Sequence, residues 1–348
     1  MKILASIYIL LFIFFCSSCG PSTNTEKDKK IIPVDSDAGK IEIYDASALK
    51  LIDTNATIEV IGRNYNWSEG PVWIPALHSL LFSDVLENKI YKWNEVDTPA
   101  VYLTPSGYTD TTARNGENGS NGLAIDANGK LLLCQSGNRQ VARMNAALHA
   151  PAPNYIVLSA NYNGKKFNSP NDLVADSKNN IYFTDPVYGL PDGEQDKTRE
   201  LPFEGVYRIS AGGKTTLLID SIPRPNGVAL SPDEKILYIA SSDAEMPKWY
   251  AYNLDTSGKI LSGGILFDAQ LLKEKATVKQ GPDGLKIDKY GNLFCAGPDG
   301  INIISPAGKL LGLIKIYERR VSNCAFDETK QELFITADDW VLKVTLHP

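Results

Sequence analysis

A short phrase recurs six times along this chain, and a chain with six copies of one supersecondary unit has few ways to bury them. The copies are Ser68-Glu69-Gly70-Pro71-Val72-Trp73, Ser120-Asn121-Gly122-Leu123-Ala124, Pro170-Asn171-Asp172-Leu173-Val174, Pro225-Asn226-Gly227-Val228-Ala229, Pro282-Asp283-Gly284-Leu285-Lys286 and Ser322-Asn323-Cys324-Ala325-Phe326, spaced by about 40 to 57 residues. After each comes a turn and a β-rich run (HSLLFSDV, GKLLLCQS, NNIYFTDP, EKILYIAS, GNLFCAGP, QELFITAD), then a second alternating segment such as KIYKW or GVYRI. Short, evenly spaced strands bounded by Gly, Asn, Asp and Pro predict antiparallel meanders. The economical solution is an all-β, six-bladed β-propeller with four antiparallel strands per blade. A short helix is expected only around residues 268–275. Because a ring of blades must be closed, the strand-like run 56–62, which precedes the first phrase, is expected to pair with the C-terminal segment 340–345 as the outer strand of the last blade.

The 348 residues are 43% hydrophobic and 22% charged, which excludes a disordered or coiled-coil chain. With 35 Lys and Arg against 41 Asp and Glu, and no basic cluster, no nucleic-acid partner is expected. His78, His149 and His347 have no ligand spacing, which argues against a histidine zinc site. A closed ring offers no obvious edge for dimerisation, so a monomer is expected.

The N-terminus reads as an export signal over residues 1–18: one Lys, an apolar run from Ile3 to Phe15, then small residues. That run is shorter than the ~18 to 20 residues of a spanning helix. Cys16-Ser17-Ser18-Cys19-Gly20 resembles a bacterial lipobox, with Cys19 as the lipidated residue. Residues 19–40 are polar and mixed in charge and are expected to be a flexible tether, leaving 41–348 as the propeller domain. The expected localisation is a cell-envelope lipoprotein facing the periplasm, bound to the membrane through its lipid alone. Cys134, Cys295 and Cys324 lie in apolar, strand-like context and read as buried small hydrophobes.

The second residue of each phrase carries a side-chain oxygen: Glu69, Asn121, Asn171, Asn226, Asp283 and Asn323. Equivalent blades should bring these six together at one end of the channel. A turn accounts for Asn or Asp before Gly, but gives no reason for Glu. Two carboxylates and several amide oxygens around a small void suit a hard divalent cation. Calcium, with about 6 to 8 oxygen ligands in an irregular cage, is the first choice. Zinc, magnesium and manganese are alternatives. Glu69 and Asp283 would neutralise the ion, and Asn171 and Asn226 would supply neutral oxygens. Such a site polarises a carbonyl and helps deprotonate water, so hydrolysis of a strained cyclic ester is the chemistry it most naturally supports, with Asp283 as candidate base. No GxSxG elbow, P-loop or GxGxxG competes with that reading. Around the mouth, Asn121, Asp185, Tyr188 and Arg114 are candidate substrate contacts, and Trp67 and Tyr188 could stack on a sugar ring.

Glu69-Gly70-Pro71-Val72-Trp73, Phe167-Asn168-Ser169-Pro170-Asn171-Asp172-Leu173-Val174 with Phe183-Thr184-Asp185-Pro186-Val187-Tyr188-Gly189, Arg224-Pro225-Asn226-Gly227 and Gly281-Pro282-Asp283-Gly284-Leu285 together resemble the gluconolactonase and senescence-marker-protein-30 family, from about Trp67 to the C-terminus. The resemblance implies a six-bladed propeller that hydrolyses aldonolactones with a divalent metal, commonly calcium. Glu69, Asn226 and Asp283 match metal ligands, and Asp283 matches the proposed general base. Asn171 matches a residue that contacts substrate or metal-bound water, which places it with the catalytic residues. Two positions depart from the family pattern. Gln135-Ser136 stands where many bacterial members carry Glu-His, and Ser169 where the short animal branch has Arg. The expected function is metal-dependent hydrolysis of sugar lactones such as glucono-1,5-lactone. The alternatives are hydrolysis of other esters or phosphotriesters on the same site, or a non-catalytic carbohydrate- or protein-binding propeller.

Overall fold

A computed structural model describes residues 38–347. The export signal, Cys19 and all but the last few residues of the tether lie outside the described residues. The six inner strands are Ser68–Ile74, Ser120–Ile125, Leu173–Ala175, Pro225–Leu230, Leu285–Ile287 and Val321–Asp327. Each opens a meander of antiparallel strands, and the six meanders are the six blades of a propeller. The expected short helix is Gln270–Lys275.

Period-two alternation in the second strand of each blade explains the ring. In Ser79–Asp84 every residue is buried, yet Leu80 and Phe82 face one apolar cluster while Leu81 faces another. Tyr182 is divided in the same way from Ile181 and Phe183, and Phe334 from Leu333 and Ile335. A strand sandwiched between two neighbouring sheets needs apolar side chains on both faces, and these runs supply them. There are six such clusters among the described residues, one between each pair of adjacent blades, the sixth blade against the first included. At that last junction Trp73 stacks on Phe334 with ring centroids 5.3 Å apart. Cys134, Cys295 and Cys324 are buried and free, each within one of these clusters.

Closure follows the expected route. Strand Ile58–Arg63 pairs antiparallel with Trp340–Thr345 and is the outer strand of a blade whose other three strands come from the C-terminal end. One blade departs from four strands: Gly39–Ile43 adds a fifth, outermost strand to the blade that begins at Leu285, pairing with Leu310–Ile316. Gly39 and Lys40 therefore belong to the folded domain and not to the tether, because Ile41 and Ile43 pack against the cluster between the fifth and sixth blades.

The recurring phrase interrupts each inner strand. The pairing register slips between Glu69 and Val72, Ser120 and Leu123, Pro225 and Val228, and Val321 and Asn323. In the third and fifth blades the paired strand starts only at the fourth residue of the phrase, Leu173 and Leu285. A bulge turns a side chain out of the pleat, which is how a strand buried on both faces presents a polar residue to the channel. The freed backbone groups bond to the next blade. Gly122 N donates to Asn171 O (2.7 Å) and Gly284 N to Ser322 O (2.7 Å). Thr184 Oγ1 donates to Asn226 O (2.6 Å), and Ser322 Oγ to Ser68 O (2.7 Å). In the second and fourth copies the close approach requires glycine at the third position: a Cβ on Gly122 would lie 2.8 Å from Asn171 O, and one on Gly227 2.5 Å from Asp283 O.

Candidate active site

Five of the six repeat side chains, Glu69, Asn121, Asn171, Asn226 and Asp283, line one cavity of about 270 Å³ at the channel mouth. The sixth, Asn323, does not line it. Its Oδ1 accepts from Cys324 N (2.9 Å) and from Lys286 Nζ (3.1 Å), so it belongs to the channel wall. Lys286 Nζ also donates to Leu285 O and lies 3.9 Å from Asp172 Oδ2. A larger depression of about 620 Å³ includes Lys40, Asp299, Lys315 and Trp340, but its Asp299 is already paired with Lys315 at 2.8 Å.

Three carboxyl groups line the 270 Å³ cavity, and two of them, Glu69 and Asp283, meet without a basic partner among its lining residues close enough to pair. Burial, then the charge of Asp172, pushes the Glu69 carboxyl up to about 8, against the opposing hydrogen bond from Gly70 N–H and the charge of Lys286. Asp283 is held well above the usual carboxylate range by burial, then by Glu69 and Asp172. Like charges brought together out of water cannot both ionise cheaply, so the pair calls for a cation or a proton.

The amide groups add acceptors to the same cavity. Asn121 Oδ1, Asn171 Oδ1 and Asn226 Oδ1 are all buried and without a hydrogen-bond partner. For Asn226 the reason is visible: Nδ2 donates to Ser242 Oγ (2.9 Å), which donates on to Pro282 O (2.5 Å), leaving the oxygen as the free end. Buried polar atoms are almost always paired, and three orphaned oxygens on one cavity beside two carboxyl groups match the donor set of a hard ion. No three His, Cys, Asp or Glu side chains form a metal-holding group among the described residues. The neutral oxygens must therefore complete any such cage.

Tyr188 and Trp67 line the same cavity, with Arg224 over the Tyr188 ring and Arg320 over Trp67 at 5.8 and 4.6 Å. Two expected substrate contacts are elsewhere. Asp185 is fully buried, accepting Asn168 N on Oδ2 and Ser169 N on Oδ1, both at 2.8 Å; it braces the loop that delivers Asn171. Burial pushes its carboxyl up to about 7. Arg114 donates to Glu117 O, Gly137 O and Gly189 O at 2.8, 3.2 and 2.6 Å, so it ties a loop down and does not line the cavity. Gln135 and Ser136 are also buried scaffold, donating to Ser106 O and Pro170 O. Ser169 Oγ donates to Pro186 O and accepts from Gly189 N.

The cavity adds Glu117, Ser242, Gln280 and Arg320, which sequence reasoning missed. The available signal was position. Trp67, Glu117, Gln280 and Arg320 each stand one to three residues before a copy of the phrase, where the chain crosses the mouth on its way to an inner strand.

Residues 67–339 match the model of the SMP-30/gluconolactonase/LRE-like region. A gluconolactonase of Zymomonas mobilis is 38% identical over 313 residues, 88% of this chain and 86% of its own length. Among solved structures, a gluconolactonase from Xanthomonas campestris superposes with a TM-score of 0.77 at 29% identity, covering 90% of this chain and 97% of that one. A calcium-binding protein, regucalcin, from Agrobacterium tumefaciens shares the fold at a TM-score of 0.60 and 15% identity, over 82% and 93% of the two chains. With its six blades, its phrase-built mouth and this extent of similarity, the chain belongs to the SMP-30/gluconolactonase/LRE-like family.

Proposed function

We propose that this chain hydrolyses sugar lactones with the aid of a divalent cation, calcium first, held by Glu69, Asp283, Asn171 and Asn226. The observation that carries the reading is the meeting of two buried carboxyl groups with orphaned amide oxygens on one cavity. The gluconolactonases among its relatives support the reaction, and the calcium-binding regucalcin fold supports the ion. Four protein ligands are fewer than the roughly six to eight oxygens calcium takes, which leaves places for water and substrate. A cation bound there polarises the lactone carbonyl and lowers the pKa of water.

The residues do the rest. Asp283 takes the proton of the water that attacks the carbonyl carbon and returns it to the ring oxygen as the ester C–O bond breaks, giving the open hydroxy acid. Tyr188 and Trp67 offer aromatic faces to the C–H edges of the sugar ring. The bonds from Ser242 to Asn226 and from Asp185 to the Asn171 loop keep the amide oxygens in place.

Proton release with glucono-1,5-lactone tests this, measured above the spontaneous rate. Turnover is expected to vanish on chelation, to return with calcium, and to fall about 10³-fold in Asp283→Asn. Absence of turnover with calcium, magnesium, zinc and manganese would overturn it.

A further inference from the structure

Glu117 is the one acid of the cavity that the repeat does not supply. It stands on the loop leading to the second blade, and that loop is fastened at several points. Arg114 holds the Glu117 carbonyl at 2.8 Å, and Tyr108 N donates to Asn118 O at 2.6 Å. The Cβ positions of Gly107 and Gly137 are filled by neighbouring backbone. Arg114, the natural counter-ion, directs Nη1 and Nη2 to three backbone carbonyls and neither to the carboxyl group. Glu117 Oε2 is consequently buried with no hydrogen-bond partner. Its near neighbours are Asn121 and Arg114, and among the carboxyl groups acting on Asp283 it ranks after Glu69 and Asp172. It therefore stands apart from the pair assigned to the cation.

The Asn121 side chain hydrogen-bonds to the Glu117 carboxyl, but Oε2, a buried acceptor on a fixed loop, still needs a donor. Trp67 and Tyr188 present aromatic faces, and the orphaned Asn121 Oδ1 beside Glu117 is another acceptor. The ligand must bring the hydrogens. A second anion would be repelled, whereas a ring bearing hydroxyl groups supplies O–H donors to the carboxyl and C–H faces to the aromatics.

We propose that Glu117 reads the hydroxyl groups of the substrate ring, its carboxyl oxygens accepting hydrogen bonds that an unsubstituted lactone cannot make. This deepens the lactonase reading and rests on it. A site built to bond a substrate hydroxyl discriminates strongly against the analogue lacking it, because the buried acceptor is then left unpaired. Glu117 is thus a specificity residue for polyhydroxy lactones.

The test compares glucono-1,5-lactone with δ-valerolactone, the same ring without hydroxyl groups, in the wild type, Glu117→Gln and Glu117→Ala. The ratio of their kcat/KM values is expected to fall about tenfold or more in both variants, through a higher KM for the hydroxylated lactone. A second readout needs no turnover: binding of 1,5-anhydro-D-glucitol, the hydroxylated ring without a carbonyl, measured by calorimetry in calcium, is expected to weaken by a similar factor. An unchanged ratio with unchanged anhydroglucitol affinity overturns the proposal, as does a loss of calcium affinity in Glu117→Gln, which would make Glu117 a ligand of the ion. If the wild type opens neither lactone but anhydroglucitol binding still depends on Glu117, the hydroxyl reading stands and the lactonase reading fails.

Discussion

At Glu69 a carboxyl group is almost wholly buried at the cavity wall, beside a second acid, with only Gly70 N–H, Asn323 and the more distant Lys286 in its favour. Removing its charge removes half of the formal charge available to a cation. Glu69→Gln is expected to weaken calcium binding by at least about tenfold, or 1.4 kcal/mol, in a calorimetric titration. Asp185→Asn, which leaves one of the two backbone N–H groups bracing the Asn171 loop without its acceptor, should lower that affinity by a smaller factor, through the loop alone. The contrast shows what was legible in these residues. Glu69, Asn121, Asn171, Asn226 and Asp283 could be found because repetition places equivalent positions around one axis. Asp185 and Arg114 looked equally polar and equally close in sequence, yet both bond to local backbone, and no single-chain pattern reveals whether a side chain's hydrogen bonds go to substrate or to its own loop. Glu117 escaped because its place depends on how that loop is tied down.

Among the elements, the phrase works as a joint: its bulge frees a side chain for the channel while its glycine lets the next blade approach. Gly227 is the sharpest case, since a Cβ there would meet Asp283 O at 2.5 Å and Gly284 Cα at 2.8 Å. Gly227→Ala is expected to cost about 1–3 kcal/mol, read as a lower melting temperature, and to reduce kcat/KM by displacing Asp283. Gly264→Ala, where a Cβ meets nothing within 4 Å, should change stability by less than about 0.5 kcal/mol. The inner strands and the closing strand 58–63 were readable from alternation and turn residues. The fifth strand Gly39–Ile43 was not, because a polar, charged neighbourhood reads as linker until the cluster that receives Ile41 and Ile43 is known.

For the molecule as a whole, buried acids make stability depend on pH and on the ion together. Glu69 is raised to about 8 and Glu117 and Asp185 to about 7, all mainly by burial, against about 4 in an unfolded chain. A group raised on folding helps fully below its unfolded pKa and loses that help as pH climbs through the folded value. Between about pH 4 and 8 the unfolded chain has shed these protons while the native, metal-free protein still holds them, so its stability falls as pH rises. In chelator the melting temperature is therefore expected to drop by several degrees from pH 5 to pH 8, and calcium should recover part of the loss at pH 8 by favouring ionised Glu69. Asp185 makes no contact with the cavity, so its share should remain.

The outer strand of the last blade, Ile58–Arg63, is made before the first blade, and its partner Trp340–Thr345 only after the other strands of the ring. Every earlier blade can be assembled while the circle still gapes. Contacts spanning nearly the whole chain are slow to form, since loop closure precedes their reward. A nascent chain therefore stays an open arc until residues 340–345 have been made, with Glu69 on one shore and Asp283 approaching the other, and these two acids of the cavity face each other only when the circle shuts.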